Sequence, residues 1–466
     1  MKFWKHFLLL MISGSLLTAC FDDNDDVPQI ATTLDINDFI WKGMNVFYLY
    51  KADVADLADD RFSSDQEYTD FLRGYPSPEA IFDDLQSNVD QFSFLVDDYV
   101  ALEQAFDGIT RNNGMEFGLV RYPDNPTNVF GYVRYILPGT DAEAKGIKRG
   151  DIFNSIDGTQ ITDQNFSELL APDSYTIGLA TFDGTQVTPT GTSISLTKVQ
   201  YKENPVFIVK TFDIGGNSVG YLMYNSFTAD FDEELNAAFA QFQSENVTDL
   251  VLDLRYNGGG SVTSAIDLSS MITGQFNGQV FTTEEWNADR QEEFGSTNLF
   301  DNQIRTGAAV NSLNLSRVYI LTTGSSASAS ELVINGLNPY IQTIKVGDTT
   351  RGKFQASITL YDTENYARQG AEVAGHTYAM QPLVLKSINS AGVTDYFNGF
   401  APEILVEEDF SNLGILGNTD EPLLKAALDH ISGVRSFAQY NTQSLKNIGS
   451  SKMHLPNYER MYIHKN

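Results

Sequence analysis

Residues Val318–Glu331 read VYILTTGSSASASE. Val318–Thr323 is a short apolar, β-branched run, the pattern of a buried strand. A Gly-Ser turn follows. From Ser328 the chain reads Ser-Ala-Ser-Glu-Leu-Val-Ile, small polar residues and then an acid ahead of an apolar run, which predicts a helix start. Strand, sharp turn and helix together expose a nucleophile at the carboxyl edge of a sheet, with backbone N–H groups aimed at it. A serine is a poor nucleophile until something takes its proton, and no histidine lies nearby in sequence. A second strand-like stretch, Thr343–Val346, leads into Arg351-Gly352-Lys353. A desolvated lysine has a lowered pKa and can serve as general base.

SASASE followed by Gly-Lys, with Ser328 25 positions before Lys353, resembles the C-terminal processing, or tail-specific, serine peptidases. The resemblance implies that Ser328 is the nucleophile and Lys353 the base. Upstream, Val247–Arg255 (VTDLVLDLR) reads as a strand ending in Tyr256-Asn257-Gly258-Gly259-Gly260. Strands alternate with helices here, which predicts a sheet of parallel character with ligands at its carboxyl edge. LDLRxNGGG resembles the same family's motif, and this implies an oxyanion hole made by the Ala329 amide and a glycine amide, assigned to Gly259. Asp253 and Arg255 read as residues that hold the turn. No Lys-Ser/Thr follows the glycines, so the triplet is a poor phosphate loop.

Two family features are missing. The position four after the lysine, commonly glutamine, is Ser357, while Gln355 sits where strand alternation points it to the same face as Lys353. Ser357 and Gln355 are therefore the candidates for orienting the lysine. An acid that some members carry eleven residues after the serine is replaced by Pro339. The histidines are His6, His376, His430, His454 and His464, so a Ser-His arrangement would rest on His376, approaching from downstream. No His/Cys/Asp cluster has metal-ligand spacing, and neither metal nor cofactor is expected.

The chain has 466 residues, enough for two to four domains, with ordinary globular composition and a net charge of -31. That charge argues against nucleic acid as a partner, because phosphate binding needs clustered Lys and Arg. Residues 1–19 read as a signal segment, basic at Lys2 and Lys5 and apolar over Phe7–Leu17, too short to span a membrane. It ends in Leu17-Thr18-Ala19-Cys20, which resembles a bacterial lipobox and implies lipidation of Cys20. Cys20 is the only cysteine, so no intrachain disulfide forms. Residues 20–33 read as an acidic tether, similar to an export signal of some Bacteroidetes surface lipoproteins.

Residues 34–108 have helical periodicity, with Phe39, Ile40, Met44 and Phe47 as core. Residues 109–175 form a β-rich module. Its run from Leu137-Pro-Gly-Thr through Arg149-Gly-Asp to Ile156-Asp-Gly resembles a PDZ domain, which adds an extended chain to a sheet edge. The resemblance implies a carboxylate loop at Gly114, Met115, Glu116, Phe117, Gly118 and Leu119, with Phe166–Leu170 as the flanking helix. Residues 176–435 are assigned to a peptidase core with an insertion at 274–315, and 436–466 to a polar, loosely docked or disordered tail.

The expected architecture is thus multidomain α/β: a helical N-terminal region, a PDZ-like module and a ClpP/crotonase-like core. The resemblance implies a lipid-anchored serine endopeptidase of the cell envelope, at the outer membrane and facing either side. Its substrates would be unfolded or C-terminally recognised proteins, and homo-oligomerisation is left open. A catalytically idle member of the same fold, binding peptides or apolar ligands, is the alternative. A glycan-utilisation accessory lipoprotein would rest on localisation alone.

Overall fold

The structure, a computed structural model, describes residues 30–434, 445, 447–456 and 458–463. The expected signal segment, Cys20 and most of the tether lie outside the described residues.

The N-terminal region is helical, as its periodicity predicts. Helix Thr33–Phe47 is capped by Thr32, whose hydroxyl and backbone N–H pair with the Asp35 backbone and carboxylate in a capping box. Ser64 and Ser77 cap Asp65–Arg73 and Pro78–Asp84, the latter with proline at its first position. The buried face of the first helix is Ile36, Phe39, Ile40, Met44 and Phe47. Gly43 lies on it because a Cβ there would come 2.5 Å from Met380 Cε.

The core is a six-stranded sheet in the order Val206–Ile214, Asn217–Tyr224, Asp249–Asp253, Arg317–Thr322, Gln342–Gly347, Ile404–Leu405. Every neighbouring pair is parallel except the first. Residues alternate between two hydrophobic layers. Leu222, Leu250, Leu252, Val318 and Ile320 pack with Leu235, Phe239, Leu268 and Leu332 of helices Asp232–Ser244, Val262–Thr273 and Ala329–Leu337. Val251, Tyr319, Leu321 and Val346 pack with Leu424 and Leu428 of helix Pro422–Ile431 on the other face. Burying each such leucine or valine contributes about 1.5–3 kcal/mol.

The β-rich module has its own core, including Phe117, Val133, Phe153, Ile156 and Ile177. Its sheet extends past the expected boundary at residue 175: the hairpin Ser174–Phe182/Val187–Thr197 pairs onto Ile152–Ile156. Within the expected insertion at 274–315, Val280–Trp286 pairs antiparallel with Leu383–Asn389.

The expectation of a loose tail is corrected for its described part. Asn447–Ser450 adds antiparallel to Met115–Arg121, and Met461–Tyr462 pairs parallel with both Gly260–Ser261 and Gln355–Ser357. Met461 and Tyr462 are buried. The polar charges that suggested solvation have partners instead: Lys452 donates to Glu203 at 2.8 Å, and Arg460 lies 4.0 Å over the Phe94 ring.

Candidate active site

Three loops leave the carboxyl ends of three adjacent parallel strands. The Gly258–Gly260 turn follows Asp249–Asp253, Ser328 follows Arg317–Thr322, and Lys353 follows Gln342–Gly347. Parallel pairing in register therefore gathers residues distant in sequence at one edge.

Ser328 occupies a strained elbow, with φ 66 and ψ -115, immediately before helix Ala329–Leu337. Positive φ is costly for a non-glycine residue and persists where surrounding structure fixes it. Here the fixing bonds are visible. The Ala327 N–H and the Ser330 hydroxyl donate to the Asn257 carbonyl at 3.1 and 3.0 Å, and the Ser326 hydroxyl donates to the Leu254 carbonyl at 2.8 Å. Ser328 Oγ is buried without a hydrogen-bond partner.

Lys353 is fully buried. Burial pushes its pKa well below the ordinary lysine value, and the neighbouring Arg460 cation pushes the same way. Its Nζ donates to the Glu459 carbonyl at 2.8 Å and lies 4.7 Å from the centre of the Phe92 ring. Phe92 comes from the end of the N-terminal region, which thus walls the cleft.

Glu331 was read from sequence only as an acid in the first helical turn, yet it joins Ser328 and Lys353. Its Oε2 accepts the Ser328 N–H at 2.9 Å and the Lys353 N–H at 2.8 Å. Its Oε1 accepts the Gly352 N–H at 2.7 Å and the Thr350 hydroxyl at 2.6 Å. Burial raises its pKa, and these four donors oppose the rise.

The glycine turn is close to Ser328. A Cβ built on Gly259, whose φ is +112, would lie 2.6 Å from Ser328 Cβ and 3.0 Å from the Ala329 nitrogen. Only glycine allows that approach. The Gly259 N–H donates to Asn257 Oδ1 at 2.9 Å, so an oxyanion there would have to share or displace that bond. Asp253 and Arg255 hold the turn from beneath. The buried Arg255 guanidinium pairs with Asp253 at 2.8 Å and with Glu421 at 2.5 Å, and Tyr221 donates to Asp253 at 2.7 Å.

Neither residue expected to orient the lysine contacts its ammonium. Gln355 donates to the Tyr50 hydroxyl at 2.7 Å, and Ser357 Oγ lies 2.5 Å from Gln381 Oε1 and 3.2 Å from the Met461 carbonyl. Ser357 pairs in register with Tyr462 and Gln355 with Lys386, so both are committed to the sheet next to the site. His376 is placed elsewhere too: Nε2 is 3.0 Å from Asp362, and Nδ1 accepts the Tyr378 N–H at 3.0 Å.

The loop Gly114–Leu119 begins strand Met115–Arg121. The Gly114 and Met115 amides donate to the side chains of Asn112 and Asn113 at 2.7 and 3.0 Å, and the Phe117 amide donates to Ser451 Oγ at 3.1 Å. Among the described residues there is no group of His, Cys, Asp and Glu able to hold a metal ion, and no helix long and apolar enough to cross a membrane.

Comparisons with known proteins place the chain among peptidases. The profile for peptidase family S41 matches residues 218–393, and that for the peptidase S41 N-terminal domain matches residues 35–94. The chain is 26% identical over 314 residues to a carboxyl-terminal-processing protease of Picosynechococcus sp., covering 66% of this chain and 68% of that one. It is 24% identical to the chloroplastic carboxyl-terminal-processing peptidase 1 of Arabidopsis thaliana, covering 71% of this chain and 65% of the relative. A crystal structure of a Bacteroides fragilis protein assigned to the S41 proteases superposes with a TM-score of 0.67 at 28% identity, covering 85% of this chain and 98% of that one.

Proposed function

This chain belongs to peptidase family S41, and on that premise we propose that it is a serine endopeptidase of the C-terminal processing type working through a Ser328/Lys353 dyad. The observation that carries the reading is an unpartnered, buried serine hydroxyl on a strained elbow, tied through one carboxylate to a buried lysine of lowered pKa.

In this mechanism neutral Lys353 accepts the Ser328 proton as Oγ attacks the peptide carbonyl, then returns it to the leaving amine. A water attacks the resulting ester with Lys353 again as base. The Ala329 amide, at the start of its helix, and the Gly259 turn face the developing oxyanion. Glu331 is a positioning residue, since it touches backbone on both sides of the dyad and neither reacting atom.

We further propose that the β-rich module is PDZ-like and that the edge Met115–Arg121, which Asn447–Ser450 occupies here, takes an extended segment of substrate. The engaged Gly114 and Met115 amides favour an internal segment over a free carboxylate at this loop. Lipidation of Cys20 and anchoring in the cell envelope complete the proposal, supported by the lipobox-like Leu17–Cys20 alone; loss of membrane partition in Cys20→Ser tests it. An idle, ligand-binding member of the fold is not favoured, because both dyad residues are present and adjacent strands bring their loops together.

The test is cleavage of an unfolded protein, casein, by residues 21–466. Wild-type cleavage that disappears in Ser328→Ala supports the proposal, and cleavage that persists in that variant contradicts it. Peptides with free or amidated C-termini, added as competitors, separate terminal from internal recognition.

A further inference from the structure

The described tail, residues 447–456 and 458–463, follows one path through both places where a substrate would bind. It enters as strand Asn447–Ser450 on the edge of Met115–Arg121, with Ser450 opposite Gly118. The pairing continues one residue further, as the Ser451 N–H donates to the Phe117 carbonyl at 3.0 Å. Ser167, on the helix flanking the groove, lies 3.2 Å from His454.

Beyond this the tail reaches the dyad. The Glu459 carbonyl accepts from Lys353 Nζ at 2.8 Å. The next carbonyl, that of Arg460, lies 2.6 Å from a Cβ built on Gly259, the same point that is 2.6 Å from Ser328 Cβ and 3.0 Å from the Ala329 nitrogen. The Arg460 oxygen, Ser328 Cβ and the Ala329 nitrogen therefore border the same space beside Gly259. After it, Met461–Tyr462 forms a strand between Gly260–Ser261 and Gln355–Ser357.

A chain anchored before and after a carbonyl beside the serine is how a peptidase positions a scissile bond; here the described chain turns between its two paired ends, with Glu459 at φ 50. We propose that this tail is a substrate of its own active site, and that Ser328 cuts the chain between Arg460 and Met461. The inference rests on the Ser/Lys reading above and adds a cleavage site to it.

The step balances. Ser328 Oγ bonds to the Arg460 carbonyl carbon while its proton passes to Lys353 Nζ. The Arg460–Met461 C–N bond then breaks, and the proton goes to the Met461 nitrogen. Water hydrolyses the Arg460 ester, regenerating Ser328 and leaving a chain that ends in the Arg460 carboxylate.

The geometry also explains the missing orienting group. A neutral lysine amine has two hydrogens and one lone pair, so donating to the Glu459 carbonyl leaves the lone pair for the Ser328 proton. The substrate's own backbone thus does the orienting. The N-terminal region supplies the pocket for the residue before the cut: Arg460 Nη1 donates to the Phe92 carbonyl at 2.6 Å, and its guanidinium lies 4.0 Å over the Phe94 ring. These two contacts are what the pocket offers a basic side chain.

The experiment is intact-mass spectrometry of freshly purified residues 21–466 over several hours, on wild type, Ser328→Ala and Lys353→Ala, with thermal melting to confirm that each is folded. The expected result is loss of everything after Arg460 in wild type, retention in both variants, and a rate constant unchanged on tenfold dilution. Wild type that cleaves casein while keeping Met461 overturns this inference and leaves the peptidase reading intact. Wild type that cleaves neither overturns both. Removal of the tail that slows in proportion to dilution, or that proceeds in Ser328→Ala, also overturns it.

Discussion

The backbone amides of Ser328 and Lys353 donate to the same atom, Oε2 of Glu331, at 2.9 and 2.8 Å. The proposed nucleophile and base, which arise on different loops, are thereby tied to one buried oxygen. Because the carboxylate bonds to backbone and not to the reacting groups, it fixes position without competing for the proton.

Glu331→Gln keeps the shape but turns one oxygen into a donor facing N–H groups. The expected result is a fall in kcat of about 10²-fold from lost positioning, with KM changed much less. A destabilisation of about 1–3 kcal/mol should accompany it from unsatisfied buried donors. Steady-state kinetics and urea titration check both, and an unchanged kcat would remove Glu331 from the mechanism.

Gly259→Ala would place a methyl group 2.6 Å from Ser328 Cβ, at a φ of +112. Activity should drop by about 10²-fold or more, comparable to losing an oxyanion donor, at a strain cost of about 1–3 kcal/mol. Casein cleavage measured beside the melting temperature separates the two effects.

Arg255→Ala takes the shared cation from two buried carboxylates, leaving Asp253 with the Tyr221 hydroxyl and Glu421 with Arg149 at 3.9 Å. Breaking one partner from such a group costs about 3–5 kcal/mol. Urea denaturation should show this loss, and a shift below 1 kcal/mol would contradict a structural role for the cluster.

Burial of Lys353 costs stability in a pH-dependent way. Its folded pKa is lowered, so the unfolded chain binds the proton more tightly. The penalty is full below the folded value and vanishes as pH rises through the ordinary lysine value near ~10.4. Lys353→Met should therefore be more stable than wild type at neutral pH, by about 1–2 kcal/mol. The gain should shrink toward alkaline pH, as thermal melting across pH would show.

Ser328, Lys353 and the glycine triplet were legible in sequence because each lies in a short motif that resembles the peptidase family's, beside a strand that local pattern predicts. The helical N-terminal region was legible from its periodicity and caps. Glu331 was not legible as a junction, since Thr350, Gly352 and Lys353 lie 19, 21 and 22 residues further along and meet it only through tertiary structure. The tail was misread for a related reason. Lys452 and Arg460 look solvated until Glu203 and Phe94, far away in sequence, are brought to them. Gln355 satisfies strand alternation but finds Tyr50 instead of the lysine, a partner no local pattern specifies.

The central claim is that Lys353 is the base, and casein cleavage by wild type and Lys353→Ala from pH 6 to 10 tests it most directly. Wild-type kcat/KM should rise along a single limb whose midpoint lies well below the ordinary lysine value, as burial of Lys353 requires. Lys353→Ala should cleave nothing at any pH, despite an intact Ser328. Cleavage that persists in Lys353→Ala with the same rising limb would assign the titrating base to another residue and contradict the dyad.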